Sequence, residues 1–160
     1  GEKVPVVAAG GLYDGRGLAA SLALGADGVW IGTRFIATPE ARAVNGYKDT
    51  LLATNEDGTT ISRSYTGKTC RVVANEWTRH YDKHPDDLKP FPQQAIASMQ
   101  AGVNHLGYPT GTETDPTREF YPAGQGVGAI NELVPAGELV RRIMHEAHAV
   151  LARVGKLTGR

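Results

Sequence analysis

The sequence predicts an α/β fold, and three observations carry that expectation. Residues 4–9 (VPVVAA) form an apolar run of strand length that stops at Gly10 and Gly11, residues 14–25 carry helical spacing, and residues 27–31 form a second apolar run ending at Gly32. Strand, helix and strand within about 30 residues make a βαβ unit, whose two strands run parallel with a right-handed crossover.

Each element has a local cause. Asp14 stands where an N-cap belongs, with its carboxylate placed to accept from the free amides of the first turn. Leu18 and Leu22 are four residues apart on one helix face, and Gly25 supplies the residue that ends the helix. Residues 39–53 read as one helix, with Pro39 at its first position and a weak point at Gly46. Residues 59–65 alternate loosely, Thr66, Gly67 and Lys68 make a turn, and residues 70–74 pair back as a short hairpin. Polar, proline-bearing sequence over 75–92 suggests a surface excursion, and 93–101 a short helix closed by Gly102. Residues 104–128, rich in glycine and proline, read as loop. The final segment has the clearest helical period. Leu139, Val140, Ile143, Met144, Ala147, Val150, Leu151 and Val154 fall on one stripe, with Glu138 in the first turn and Arg153 before Gly155. That stripe leaves open whether the helix packs on its own chain or on a second copy.

Composition narrows the function classes. A chain of 160 residues is long enough to bury about 70% of the surface its unfolded form exposes. Its 17 basic and 17 acidic residues cancel, so no basic face is expected and a nucleic-acid partner is excluded. The apolar runs are far shorter than the roughly 20 residues that span a bilayer, which excludes a membrane segment. Cys70 is the single cysteine and cannot form an internal disulfide, which fits a reducing compartment and a cytoplasmic location. The chain starts at Gly1 without a methionine and enters an apolar run by Val4, so it is expected to be cut from a longer protein.

The glycines at the strand ends then acquire a reason. Where strands feed helices, unpaired backbone N–H groups point outward, and glycine lets a ligand approach the main chain closely. The turns at Gly10-Gly11 and Gly32-Thr33 lie one βα unit apart and become neighbours at the same edge of a parallel sheet. Thr33 adds a hydroxyl, and Arg34 a charge able to pair with an anion or with a carboxylate elsewhere. In a (β/α)8 barrel the loops after the last two strands form the usual phosphate site.

The stretch VPVVAAGGLYDGRGLAASLALGADGVWIGTRFIATPEA resembles the phosphate-binding part of the nitronate monooxygenase family, also called 2-nitropropane dioxygenases. The resemblance continues through GYKDTLLA, TGKTCRVVANEW and YPAGQGVGAINELVPAGELV. It implies the C-terminal part of a (β/α)8 TIM barrel, contributing the last two strands and helices, with a smaller, mostly helical and irregular inserted subdomain. On that reading residues 1–54 belong to the barrel, 55–121 to the insertion, and 122–160 to a return segment and a helix packing on the barrel. The implied cofactor is FMN. Its contacts carry over to Gly10, Gly11, Trp30, Ile31, Gly32 and Thr33, and the segment Ala123, Gly124, Gln125 is similar to one that returns near the flavin. The implied reaction is oxidation of alkyl nitronates by O2 to a carbonyl compound and nitrite.

The family's histidine, in an AGGH-like motif, has no counterpart here, so no catalytic residue is assigned and the fragment alone is expected to be inactive. His145, Glu146 and His148 fall one residue short of a zinc-binding helix pattern and read as helix surface. His80 and His84 lie in solvated sequence, and His105 in a glycine-rich loop without a marked partner. No metal is expected. Two other functions stay open: an FMN-dependent NAD(P)H reductase of the enoyl-ACP reductase type, and an incomplete phosphate-binding remnant. The remnant would expose an apolar face over residues 4–9.

Overall fold

The computed structural model describes residues 4–157 and Gly159, so the Gly1-Glu2-Lys3 start lies outside the described residues. The predicted βαβ unit forms. Strand β1 (Val7–Ala9) pairs in parallel with β2 (Gly28–Trp30), Val7 opposite Gly28 and Ala9 opposite Trp30, and helix α1 (Gly15–Ala23) joins them. Both strands are shorter than their apolar runs. Asp27 ties the entrance of the ladder: its amide donates to the Val6 carbonyl (2.7 Å) and its carboxylate accepts from the Val6 amide (2.8 Å). At the other end Gly10 and Gly11 take φ values of +93° and +69°, which only glycine adopts at low cost, and the strand stops. Asp14 caps α1 as expected, accepting from the Gly17 amide at 2.9 Å. Gly25, at φ +97°, follows Leu24, whose amide bonds back to the Ala20 carbonyl.

Past β2 the chain departs from expectation. A one-turn helix α2 (Thr33–Ile36) follows β2, and the helix expected over 39–53 is shortened to α3 (Asn45–Ala53) after a bend. Pro39 lies in the bend because Thr38 holds a turn: its hydroxyl donates to the Phe35 carbonyl (2.9 Å) and accepts from the Ala41 amide (3.2 Å). The buried Lys48 ammonium then fixes the bend by donating to the Pro39 carbonyl. The hairpin forms from β3 (Thr59–Ser62) and β4 (Cys70–Val73), antiparallel, with Thr59 opposite Val73.

Residues 75–92 are not a plain excursion. They open with α4 (Glu76–Lys83), which Asn75 and Thr78 start by exchanging side-chain and backbone hydrogen bonds in a capping box. Helix α5 (Gln93–Gln100) follows as expected, and residues 104–128 are largely irregular before a 3-10 turn at Gln125–Ala129. The last element is α6 (Ala136–Leu157), whose first amide is held by the carboxylate of Glu40 at 3.1 Å.

Helix α6 lies against α1 with its backbone nearly touching. A Cβ on Gly15 would strike the Ile143 carbonyl and the Ala147 amide, and the Gly15 amide donates to Glu146 at 2.8 Å. Leu18, Ala19, Val134, Leu139, Ile143 and Ala147 form the core beneath. The apolar stripe of α6 is only half used, since Val140, Met144, Leu151 and Val154 remain exposed. A second core gathers Val44, Tyr47, Leu51, Tyr121 and Val127, and a third packs Tyr65, Val72, Val103 and Phe120 beside the hairpin. Val4, Val6 and Val7 keep 74%, 57% and 55% of their surface in solvent, so the apolar segment that leads into β1 is bare.

Candidate functional site

The two glycine turns meet where the sequence places them. Gly10, Gly11, Trp30, Gly32 and Thr33 line one cleft of about 220 Å3, joined by Tyr13, Arg34, Gly124 and Gly126. Among the described residues no carboxylate lines it, and Arg34 is the one charged residue on its wall. Among the described residues the amides of Gly11 and Gly32 donate to no turn or loop carbonyl, and Thr33, as the first residue of α2, carries an amide without an intrahelical acceptor. Nothing lies within 4 Å of where a Cβ would stand on Gly10, Gly11 or Gly32. The wall is therefore bare main chain open to an incoming group. Its volume is below the 300 Å3 or so of a whole small-molecule pocket, and suits a head group such as a phosphate.

The third wall is the segment Ala123, Gly124, Gln125. Ala123 is buried, and the Gly124 amide donates to the Thr33 hydroxyl oxygen at 2.9 Å. A Cβ on Gly126 would lie 2.7 Å from the Tyr13 ring and 3.0 Å from the Gly11 carbonyl, so close approach of these two loops requires glycine there. Three stretches far apart in sequence thus frame one cleft. Trp30 is exposed beside it at 73%. Ile31 does not line it; this side chain packs into the α1–α6 core and borders a different cavity. Arg34 also lines the cleft but is buried, with Nη1 donating to the carbonyls of Ala37 (3.3 Å) and Glu132 (3.1 Å). Burial lowers its pKa, while the carboxylate of Glu132 works against that shift.

A larger cavity of about 560 Å3 opens on the opposite side of Gly32, between Phe35, Val44, Tyr47, Leu106, Phe120 and Tyr121. Tyr47 and Tyr121 stack at 4.9 Å, and the Tyr47 hydroxyl donates to the Pro122 carbonyl. Burial pushes the pKa of Tyr47 well above the ordinary tyrosine value. On the rim His105 Nδ1 lies 2.7 Å from the buried carboxylate of Glu119. No local pattern points to this pair, because Glu119 sits in irregular sequence with no periodic neighbour. A histidine in a glycine-rich loop was the only hint.

The remaining histidines lie at the surface, with His80 on helix α4 rather than in a loop. His145 and His148 are exposed on α6, with Glu146 between them spent on the Gly15 amide. His80 lies 3.3 Å from Asp87 at the surface. Among the described residues no group of three or more histidine, cysteine or acidic side chains is placed to hold a metal, and no helix is long and apolar enough to cross a membrane.

Comparison with known proteins places this geometry. The sequence profile of nitronate monooxygenase matches residues 2–146. A Mycobacterium tuberculosis protein named as a monooxygenase is 35% identical over 97% of this chain and 41% of its own length. A Bacillus subtilis protein carrying the name nitronate monooxygenase is 29% identical over 89% of this chain and 40% of its own. Among solved structures, FabK from Thermotoga maritima superposes with a TM-score of 0.80 at 28% identity, covering 98% of this chain and 48% of that one. Nitroalkane oxidase from Streptomyces ansochromogenes gives 0.76 at 31% identity, over 96% and 42%. The chain spans less than half the length of these relatives. With the profile covering nearly all of it, and with the glycine turns meeting in one cleft, the chain belongs to the nitronate monooxygenase family.

Proposed function

We propose that the protein carrying this chain is an FMN-dependent enzyme that oxidises alkyl nitronates with O2 to a carbonyl compound and nitrite, and that this chain holds the phosphate of the flavin. The carrying observation is the cleft of bare main chain at Gly10, Gly11, Gly32 and Thr33, free of carboxylates. Amides of those turns bind the phosphate oxygens. The Thr33 hydroxyl, already accepting from Gly124, keeps its own proton to donate. Gly124 fixes that hydroxyl, and Trp30 and Ile31 flank the turn. Arg34 contributes positive field rather than a direct contact. When bound, the flavin supplies the electron acceptor, while the chain supplies binding and orientation.

In this reading the βαβ unit is the last part of a (β/α)8 barrel, residues 55–121 are a smaller inserted subdomain, and residues 122–160 return to wall the cleft and pack on the barrel. The bare valines at and just before β1, Val4, Val6 and Val7, face the remaining strands. The catalytic histidine lies upstream of this chain, which by itself turns over no substrate. Cytoplasmic location fits the free Cys70. The test is nitrite release: the whole protein, loaded with FMN, forms nitrite from propionate 3-nitronate in air, and absence of nitrite overturns the reading. The likeness to FabK favours a second reading, a flavin reductase. Oxidation of NADH by an enoyl thioester without air, with no nitrite formed from nitronate, selects it.

A further inference from the structure

We propose that residues 106–113 form a strap along one side of the cavity of about 560 Å3, which swings out as a unit and admits molecules to it. The strap runs between two walls. His105, Leu106 and Gly107 line the cavity on one side, and Val44 and Tyr47, at the start of α3, line it on the other. The chain between them crosses to α3, where the Thr110 carbonyl accepts from the Asn45 amide at 2.8 Å. Val44 makes no side-chain cap, so the strap supplies an acceptor that the first turn of α3 lacks.

Both ends of the strap are pinned. Before it, the His105 amide donates to Glu119 Oε1 (2.8 Å) and the Phe120 amide to the Val103 carbonyl (2.9 Å). After it, the Thr114 hydroxyl bonds that of Tyr121 at 2.6 Å, and it lies so close to α3 that a Cβ on Gly46 would come within 2.6 Å of Thr114 Oγ1. Between the pins, residues 106–111 are all exposed. Among the described residues the strap's other hydrogen bonds are local, from the Tyr108 amide to the His105 carbonyl and from the Thr112 amide to the Pro109 carbonyl. Its one ring contact, Tyr108 edge-on to His105 at 4.9 Å, stays on the side of the first pin. Gly107 sits at φ +83° with nothing within 4 Å of where a Cβ would stand, and Gly111 is equally open. The strap thus has glycine pivots in free space, and a single hydrogen bond ties it to α3. Breaking that bond leaves an amide at a helix start to water, which costs little, whereas moving either pin disturbs the buried Glu119 or Tyr121.

The strap depends on neither the flavin nor the nitronate reading. Asn45→Pro tests it, because proline suits the first position of a helix, and Val44, at φ −59° and ψ 146°, already has the extended backbone that precedes a proline. The substitution removes the tying N–H and keeps α3. In the whole protein, the thiol introduced by Ile36→Cys in the cavity wall is labelled with uncharged iodoacetamide and followed by mass spectrometry of the peptide that carries it. Adding Asn45→Pro is expected to speed that labelling about five-fold or more. Asn45→Ala, which keeps the amide, leaves the rate unchanged, and Cys70, which does not line the cavity, reacts at one rate in all three proteins. Hydrogen exchange resolved to single amides in the unsubstituted protein gives a reading that survives if the proline variant fails to fold. After correction for intrinsic rates, the Asn45 and Thr112 amides are expected to exchange together, about ten-fold or more faster than the pinned amides of His105 and Phe120. An unchanged thiol rate in folded Asn45→Pro, or Asn45 exchange as slow as that of His105 and Phe120, overturns the proposal.

Discussion

At the scale of single residues, the cleft depends on backbone angles that side chains resist. Gly11 sits at φ +69°, where an L-residue costs about 1–2 kcal/mol. Gly11→Val is expected to lower stability by about that much and to weaken flavin binding by about ten-fold or more, because the new side chain projects into the open space of the cleft. Urea unfolding and flavin fluorescence titration measure the two effects. Thr33→Val removes the acceptor for the Gly124 amide and is expected to destabilise by about 1–2 kcal/mol, since a half-buried amide loses its partner. These positions were legible in the sequence because turn chemistry is local: two glycines after an apolar run, and Gly32-Thr33 after the next. The side chain of Ile31 packs into the α1–α6 core beside the cleft, a placement that depends on long-range packing and is not legible from the local pattern. Glu119 was not legible at all. Its partner is fourteen residues away, and its burial follows from tertiary packing rather than from any local pattern.

At the scale of elements, the contact between α1 and α6 is set by the missing side chain of Gly15. Gly15→Val places two branches against backbone atoms of Ile143 and Ala147, and neither helix can yield without losing Leu18, Leu139 or Ile143 from the core. A loss of about 3 kcal/mol is expected, at the upper end for overpacking, read as a lower urea midpoint with unchanged slope. Capped and strongly periodic elements were readable. Asp14 starts α1, and the 3.6-residue period runs through α6, although only the row through Leu139, Ile143 and Ala147 is buried. The helix over 39–53 was misread because Pro39 suits a bend as well as a first helical position, and the Thr38 turn chose the bend. Helix α4 was missed because its pattern is polar, and its capping box uses Asn75 with Thr78 in place of the usual glutamate or glutamine.

At the scale of the whole molecule, the cores away from β1 are built around tyrosines whose hydroxyls are buried. Burial raises the pKa of Tyr47, Tyr65 and Tyr121 above the unfolded value. A raised pKa means stability that is full below about pH 10, the ordinary tyrosine value, and lost as the pH climbs from there toward the folded value. Urea midpoints are expected to hold steady up to about pH 9 and to fall steeply above about pH 10. Tyr65→Phe should flatten that fall while lowering stability at neutral pH, because Tyr65 Oη bonds the Arg118 carbonyl and Asn75. The α/β class and the exposed apolar edge at residues 4–9 could be foreseen, since a two-stranded parallel sheet has too few strands to cover its own faces. What closes the cleft could be foreseen only in part, because the 123–126 segment reaches it across some ninety residues of intervening chain. The most direct test of the central claim compares FMN with riboflavin, which lacks only the phosphate, by fluorescence titration of the whole protein and of Gly11→Val. The account predicts that FMN binds the unsubstituted protein about ten-fold or more tighter than riboflavin and that the substitution abolishes the difference. Equal affinity of the two flavins for the unsubstituted protein would contradict it.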